Sequence, residues 1–208
     1  METLDAVLNA AKTITLSYPH DQDGRITSAV SELPFIKKLK EIMGDAFDFE
    51  IPKTRHWYDC KVNGIHINVK ITAARSGDDA FNKKSLLLTW GGRVPEKEPG
   101  NFNNLIEILK NTPQYAERDP FKEYYFLVVY KKTGDVILKS LLDVKTYICN
   151  ISGRVVQINW KNELKDRDYK CSDRKTKSME LLRVVHTACR RQTENMIQFV
   201  NFDIESLT

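Results

Sequence analysis

"HWYDCKVNGIHINVKIT" (residues 56–72) decides how the chain is read. From Ile65 the residues alternate. Ile65, Ile67, Val69 and Ile71 fall on one side, and His66, Asn68, Lys70 and Thr72 on the other. A period of two marks a strand with one buried face. Asn63-Gly64 separates this run from the strand-like "WYDCKV" (57–62). Both turn residues tolerate positive φ, so the pair predicts a two-residue type I′ hairpin. That turn sets a register in which Asp59 opposes Asn68, on one face, with Cβ atoms about 4.5–5.5 Å apart. Lys70 follows along the same face. The hairpin therefore aims an Asp, an Asn and a Lys at one place.

Around this hairpin the pattern alternates between helices and strands. Residues 3–12 predict a short amphipathic helix, with Leu4, Val7, Leu8 and Ala11 on one side. A second helix is expected from Thr27 or Ser28, with Val30, Leu33, Ile36, Leu39 and Ile42 inward, Pro34 inside it and Gly44 at its end. "FDFEI" (47–51) alternates, and "SLLLTW" (85–90) predicts a buried strand. "NFNNLIEILKN" (101–111) predicts a helix with Phe102, Leu105, Ile106 and Leu109 inward. "YYFLVVY" (124–130) is apolar throughout, as a strand buried on both faces should be. Strands are also expected at 135–141, 146–150 and 155–160, and a long helix from about Ser178 to Phe199. The fold class is α/β of the α+β mixed-sheet kind: one domain over residues 1–208, a central mixed β-sheet flanked by helices.

Composition narrows the function classes. The chain has 208 residues, 41% hydrophobic and 29% charged, enough for a sizeable core. Its net charge of +4 permits nucleic-acid binding without demanding it. The window from Lys161 to Arg191 holds ten basic and five acidic residues, a net +5, so the basic excess is concentrated there. The four cysteines (60, 149, 171 and 189) show no zinc spacing and read as reduced thiols. No apolar run approaches the length of a bilayer span, and the N-terminus has no signal pattern. The expectation is a cytoplasmic protein with no membrane partner.

Phosphodiester hydrolysis needs a carboxylate to hold a divalent cation and a second cation to steady the developing charge. Asp59 and the Asn68-Val69-Lys70 tripeptide have that layout, with Val69 turned into the core. Asp78 and Asp79 in "SGDDAFNKK" read as a turn followed by a helix cap, with a reserve role as ligands. Arg55, His56 and Thr72 are candidate DNA contacts beside the site. In "KNELKDRDYKCSDRKTK" (161–177), Arg167, Lys170, Arg174 and Lys175 are candidates for phosphate or base-edge contacts.

The order of these segments resembles the PD-(D/E)-x-K nucleases and, among them, the EcoRV-like type II restriction endonucleases. The resemblance spans roughly residues 28–130. It rests on "SAVSELPFIKKLKE" (28–41), "PKTRHWYD" (52–59), "INVKIT" (67–72), "LLTWGG" (87–92), read as a strand ending in Gly-Gly, and "DPFKEYYFLVVY" (119–130). It implies a restriction-endonuclease-like core and Mg²⁺-dependent, sequence-specific cleavage of double-stranded DNA. It also implies a homodimer on a palindromic site and a cognate DNA methyltransferase in the same system. Asp59 and Asn68 would hold the metal, Lys70 would be the catalytic cation, and Glu32 would act from the helix as a further ligand or outer carboxylate. Asn68 departs from the pattern, which has an acid there. Two other readings follow: a non-cleaving DNA-binding protein of the same fold disabled at Asn68, and a DNA repair or junction-resolving nuclease.

Overall fold

The Asn63-Gly64 turn forms as expected. Asn63 has φ +46° and Gly64 φ +85°, the left-handed pair of a type I′ hairpin. Asn63 also fastens the turn to its surroundings. Its Oδ1 accepts the Asp48 N–H at 2.8 Å and its Nδ2 donates to Thr3 Oγ1 at 3.1 Å. The computed structural model describes residues 2–15, 24–53, 56–73, 78–80, 82–96, 99–115, 117–150 and 156–200. Of residues 24–30, 79, 102, 195, 196 and 198–200 it describes the backbone alone.

In chain order the elements are α1 (Glu2–Thr13), α2 (Gly24–Met43), β1 (Phe49–Glu50), β2 (Cys60–Val62), β3 (Ile65–Thr72), β4 (Asp78–Asp79), α3 (Lys83–Gly91) and α4 (Phe102–Lys110). They continue with β5 (Tyr124–Tyr130), β6 (Val136–Ser140), β7 (Tyr147–Cys149), β8 (Val156–Ile158), α5 (Trp160–Lys165) and α6 (Arg174–Val200). The main sheet runs β1-β2-β3-β5-β6. Its β3–β5 pair is parallel and its other pairs are antiparallel, so the sheet is mixed. A second sheet, β4-β8-β7, stands apart from it. The sequence pattern gave no sign of that division, because strands of two or three residues carry too few alternations to assign them to a sheet.

Two apolar layers enclose the main sheet. Val7, Ala11, Phe35 and Leu39 from α1 and α2 pack on Cys60, Ile67, Val69 and Leu127. Leu86, Leu88, Trp160, Leu181 and Val185 belong to the other layer, with Phe126, Val128 and Tyr130. All seven residues of β5 are buried between the layers. In β3 the apolar residues are buried and the polar ones half-buried, in strict alternation. Burial of each of its four apolar side chains contributes roughly 1.5–3 kcal/mol. A one-residue slip would exchange them for His66, Asn68, Lys70 and Thr72, so the register is firmly held.

Several expectations are corrected. Residues 85–90 are helical, not a strand: they form most of α3. Asn82 caps it, its Oδ1 accepting the Lys84 and Ser85 N–H groups at 2.8 and 3.4 Å, and Gly92 closes it at φ +67°. Ser85 to Thr89 are all buried, so the amphipathic period that identifies a helix is missing. The Ser85 and Thr89 hydroxyls are spent on the Asn82 and Ser85 carbonyls. Helix α2 starts at Gly24, upstream of both expected caps, and runs through Pro34. Its buried stripe is Phe35, Ile36, Leu39 and Met43, while Leu33 and Ile42 are exposed. Strict three-residue spacing drifts around a helix of 3.6 residues per turn, so the expected row leaves the core face. Ile106 on α4 is likewise exposed. Helix α6 begins at Arg174, a turn earlier than expected, because the Asp173 carboxylate accepts the Lys175 and Thr176 N–H groups.

Among the described residues no helix is long and apolar enough to cross a membrane.

Candidate active site

The pairing of β2 with β3 ends at Cys60 and Ile67. The Asp59 N–H donates to the same Ile67 carbonyl, at 3.0 Å. Two successive residues thus face Ile67, as in a β-bulge, and the expected Asp59–Asn68 pairing does not form. Instead the Asp59 carboxylate turns along β3 and its Oδ2 accepts the Val69 N–H at 2.7 Å. Beyond the end of β2, the Val69 and Ile71 N–H groups point to an edge that β2 no longer covers. Carboxylates fill that role: Asp59 takes Val69, and Glu32, from α2, takes Ile71. The need to satisfy strand-edge donors hangs two acids on one side of β3.

Lys70 lies between those two hydrogen-bonded residues and interacts electrostatically with both acids. Burial raises the Glu32 carboxyl to about 7, with the neighbouring charges of Asp59 and Asp78 adding to the effect. Lys70 and the Ile71 N–H work against it. Burial also raises the Asp59 carboxyl, opposed by the Val69 N–H and Lys70. Asp78 reaches this group from β4, where it pairs with Ile158. The expected turn at Asp78-Asp79 is therefore a short strand, and the cap of α3 is Asn82.

Asn68 is half-buried beside these groups. Its side-chain amide acts on the Tyr124 hydroxyl as a donor would, favouring the ionised phenol, and its Oδ1 is buried with no hydrogen-bond partner. Aromatic rings line the strand upstream. Trp57 stacks on Tyr124 with centroids 5.6 Å apart and lies 4.5 Å from the His66 ring. Burial pulls His66 down to about 4, helped by Lys61.

The expected DNA contacts divide. His56 is exposed, its ring edge-on to Tyr58 at 4.2 Å. Thr72 ends β3 half-buried, its carbonyl accepting the Lys131 N–H. Arg55 lies outside the described residues. Arg167 is half-exposed and leans toward Asp135, with N–O 3.7 Å. Lys170 is exposed but reaches Asp143 at 3.2 Å. Lys175 is exposed. Arg174 does not fit the expectation. It is 2% exposed, and its guanidinium donates to the carbonyls of Leu88, Trp90, Tyr115 and Lys122. Two of those carbonyls belong to the last turn of α3, where a cation also matches the helix dipole. Asp143 and Glu123 share Arg118, which ties this cluster to the start of β5. Lys70 lies level with Val128, roughly 13 Å along that strand from Tyr124 at about 3.3 Å per residue. Lys170 and Arg174 are thus not gathered at the carboxylates.

The oxygen donors near Lys70 are the carboxylates of Glu32 and Asp59 and the amide of Asn68. Among the described residues no three His, Cys, Asp or Glu side chains form a metal-binding group. The buried, unpartnered Asn68 Oδ1 is the feature that fits an oxygen-seeking cation. Asn was foreseen at this position, but Tyr124 was not, because a Tyr opening an apolar strand reads as core. Comparison with family models, curated proteins and solved structures finds no significant match to the chain.

Proposed function

We propose that the chain is a Mg²⁺-dependent, sequence-specific double-strand DNA endonuclease, a type II restriction enzyme of the PD-(D/E)-x-K kind. What carries this reading is Lys70 within electrostatic reach of two carboxylates, Asp59 and Glu32, that gather at the edge of its own strand. Glu32, Asp59 and Asn68 are the residues that would hold the cation. Mg²⁺ prefers oxygen donors and keeps several waters, so a set of two acids and an amide suffices. When bound, it supplies charge neutralisation at the phosphate and a lowered pKa for water.

The chain's own residues do the rest. The Val69 N–H fixes Asp59 through Oδ2, which leaves Oδ1 as the oxygen to offer a cation. The Lys70 ammonium stabilises the charge that builds on the phosphate oxygens during in-line attack. Glu32, whose carboxyl burial raises in the metal-free chain, would complete the set as a further ligand or outer carboxylate. A homodimer on a palindromic site, and a methyltransferase that protects that site, belong to the same proposal.

One observation favours a second reading. Asn68 brings no charge, so the site holds one negative charge fewer than an acid there would give. A DNA-binding protein of the same fold that does not cut would look the same. Incubation of a plasmid with the purified protein and Mg²⁺, followed by sequencing of the ends, separates the two. Discrete ends support the nuclease. Tight, salt-sensitive binding without cutting supports the second reading, more so where Asn68→Asp cuts.

A further inference from the structure

We propose that Tyr124 is a positioning residue whose hydroxyl holds the Asn68 amide in the single orientation that turns Oδ1 toward the site. The inference rests on the cation-site reading and adds a residue to it. Tyr124 opens β5, is 2% exposed and lies beside His66 in the parallel register, two residues from Asn68 and on the same strand face. Its ring is held between Trp57, stacked at 5.6 Å, and Phe126, edge-on at 5.3 Å. The hydroxyl cannot swing away.

A tyrosine hydroxyl has one hydrogen and otherwise only accepts. Tyr124 spends that hydrogen on the Trp57 carbonyl, at 2.7 Å. Only lone pairs remain for Asn68, so the amide must present Nδ2 to them. Oδ1 then points the other way, buried and without a hydrogen-bond partner. Leaving such an oxygen unsatisfied costs about 1–3 kcal/mol. The flipped amide would set a carbonyl oxygen against the hydroxyl oxygen, two acceptors in contact. Asn thus answers two demands at position 68. It gives Tyr124 a donor and the site an oxygen. A carboxylate has two equivalent oxygens and has no such orientation to set.

The test uses the metal-free full chain, Mn²⁺ alone as the probe, and the variants Tyr124→Phe, Asn68→Asp and their double. Bound and free Mn²⁺ are measured by electron paramagnetic resonance. Tyr124→Phe should weaken Mn²⁺ binding about five- to tenfold in the Asn68 chain and by less than about twofold in the Asn68→Asp background. An equal loss in both backgrounds overturns the proposal, since packing alone would act on both. The Asn68 side-chain NH₂ resonances, identified by their absence in Asn68→Asp, give a reading that needs no metal. They should be shifted and slow to exchange in the parent chain and lose both properties in Tyr124→Phe. Resonances unmoved by Tyr124→Phe overturn the proposal. Failure of both the Asn68 and the Asn68→Asp chains to bind Mn²⁺ overturns the cation-site reading instead, and the resonances then decide the positioning claim.

Discussion

The edge of β3 and the basic stretch from Lys161 to Arg191 are both rich in polar and charged residues, yet they use them in opposite ways. At β3 the charges gather along a strand edge: Asp59 and Glu32 take the N–H groups of Val69 and Ile71, and Lys70 interacts electrostatically with both. In the basic stretch the charges turn inward. Arg174 is buried against four backbone carbonyls, and Lys177 donates to the Lys145 carbonyl and to Glu180. Nearby, Glu163 is buried with Lys139 at 2.6 Å and accepts the Lys145 N–H. The difference lies in what the backbone lacks. A strand edge offers donors and draws in carboxylates; a helix C-terminus offers carbonyls and draws in a guanidinium. A run of basic residues is thus a poor guide to a DNA surface where helices end nearby.

The largest effect should come from Lys70. If it is the charge-stabilising cation, Lys70→Ala should lower Mg²⁺-dependent cleavage by about a hundred- to a thousandfold while leaving DNA affinity within a few fold. Cleavage at the parental rate would remove the site from the account. Next is Arg174→Ala, which strips a donor from the end of α3. It should destabilise the fold by about 3 kcal/mol in urea unfolding. A loss below about 0.5 kcal/mol, together with weakened DNA binding, would reverse the contrast drawn between the two regions.

Glu32 and His66 give a pH test of the first region. A carboxyl raised from 4.5 to about 7 contributes stability that is full below 4.5 and lost as the pH rises to about 7. A histidine lowered from 6.5 to about 4 contributes stability that is full above 6.5 and lost as the pH falls to about 4. The two slopes oppose each other between about pH 4.5 and 6.5. Glu32→Gln leaves the histidine slope alone. Metal-free protein carrying it should therefore gain stability over that window relative to the parent chain, by about 1–3 kcal/mol. Superimposable pH profiles would mean that Glu32 titrates normally.

The smallest effects should come from the exposed cations. Arg167→Ala and Lys175→Ala should change stability by less than about 0.5 kcal/mol. Each should lower the salt dependence of DNA binding by about one unit of slope if it touches a phosphate. An unchanged slope for both would leave the basic stretch with a structural role alone.

Much of the first region was legible in the sequence. Asn63-Gly64 gave the turn, the alternation from Ile65 to Thr72 gave the buried face, and the seven apolar residues from Tyr124 gave the central strand. The register beyond Cys60 was not legible, because a bulge depends on where one carboxylate finds a donor. Helix α3 was missed because its buried residues are consecutive. Arg174 was misread because a guanidinium on carbonyls and one on phosphates leave the same letter in the sequence. Tyr124 was hidden in an apolar run, where its ring belongs and its hydroxyl goes unnoticed.

We propose that the carboxylates, Asn68 and Lys70 on the edge of β3 cut DNA. The most direct test is to incubate a plasmid with the purified chain and Mg²⁺ and sequence the ends, with Lys70→Ala alongside. Ends at a discrete set of sites are expected, lost on removal of Mg²⁺ and lost in Lys70→Ala. Uncut plasmid with both the parent chain and Asn68→Asp, or cutting that survives Lys70→Ala, would contradict the proposal.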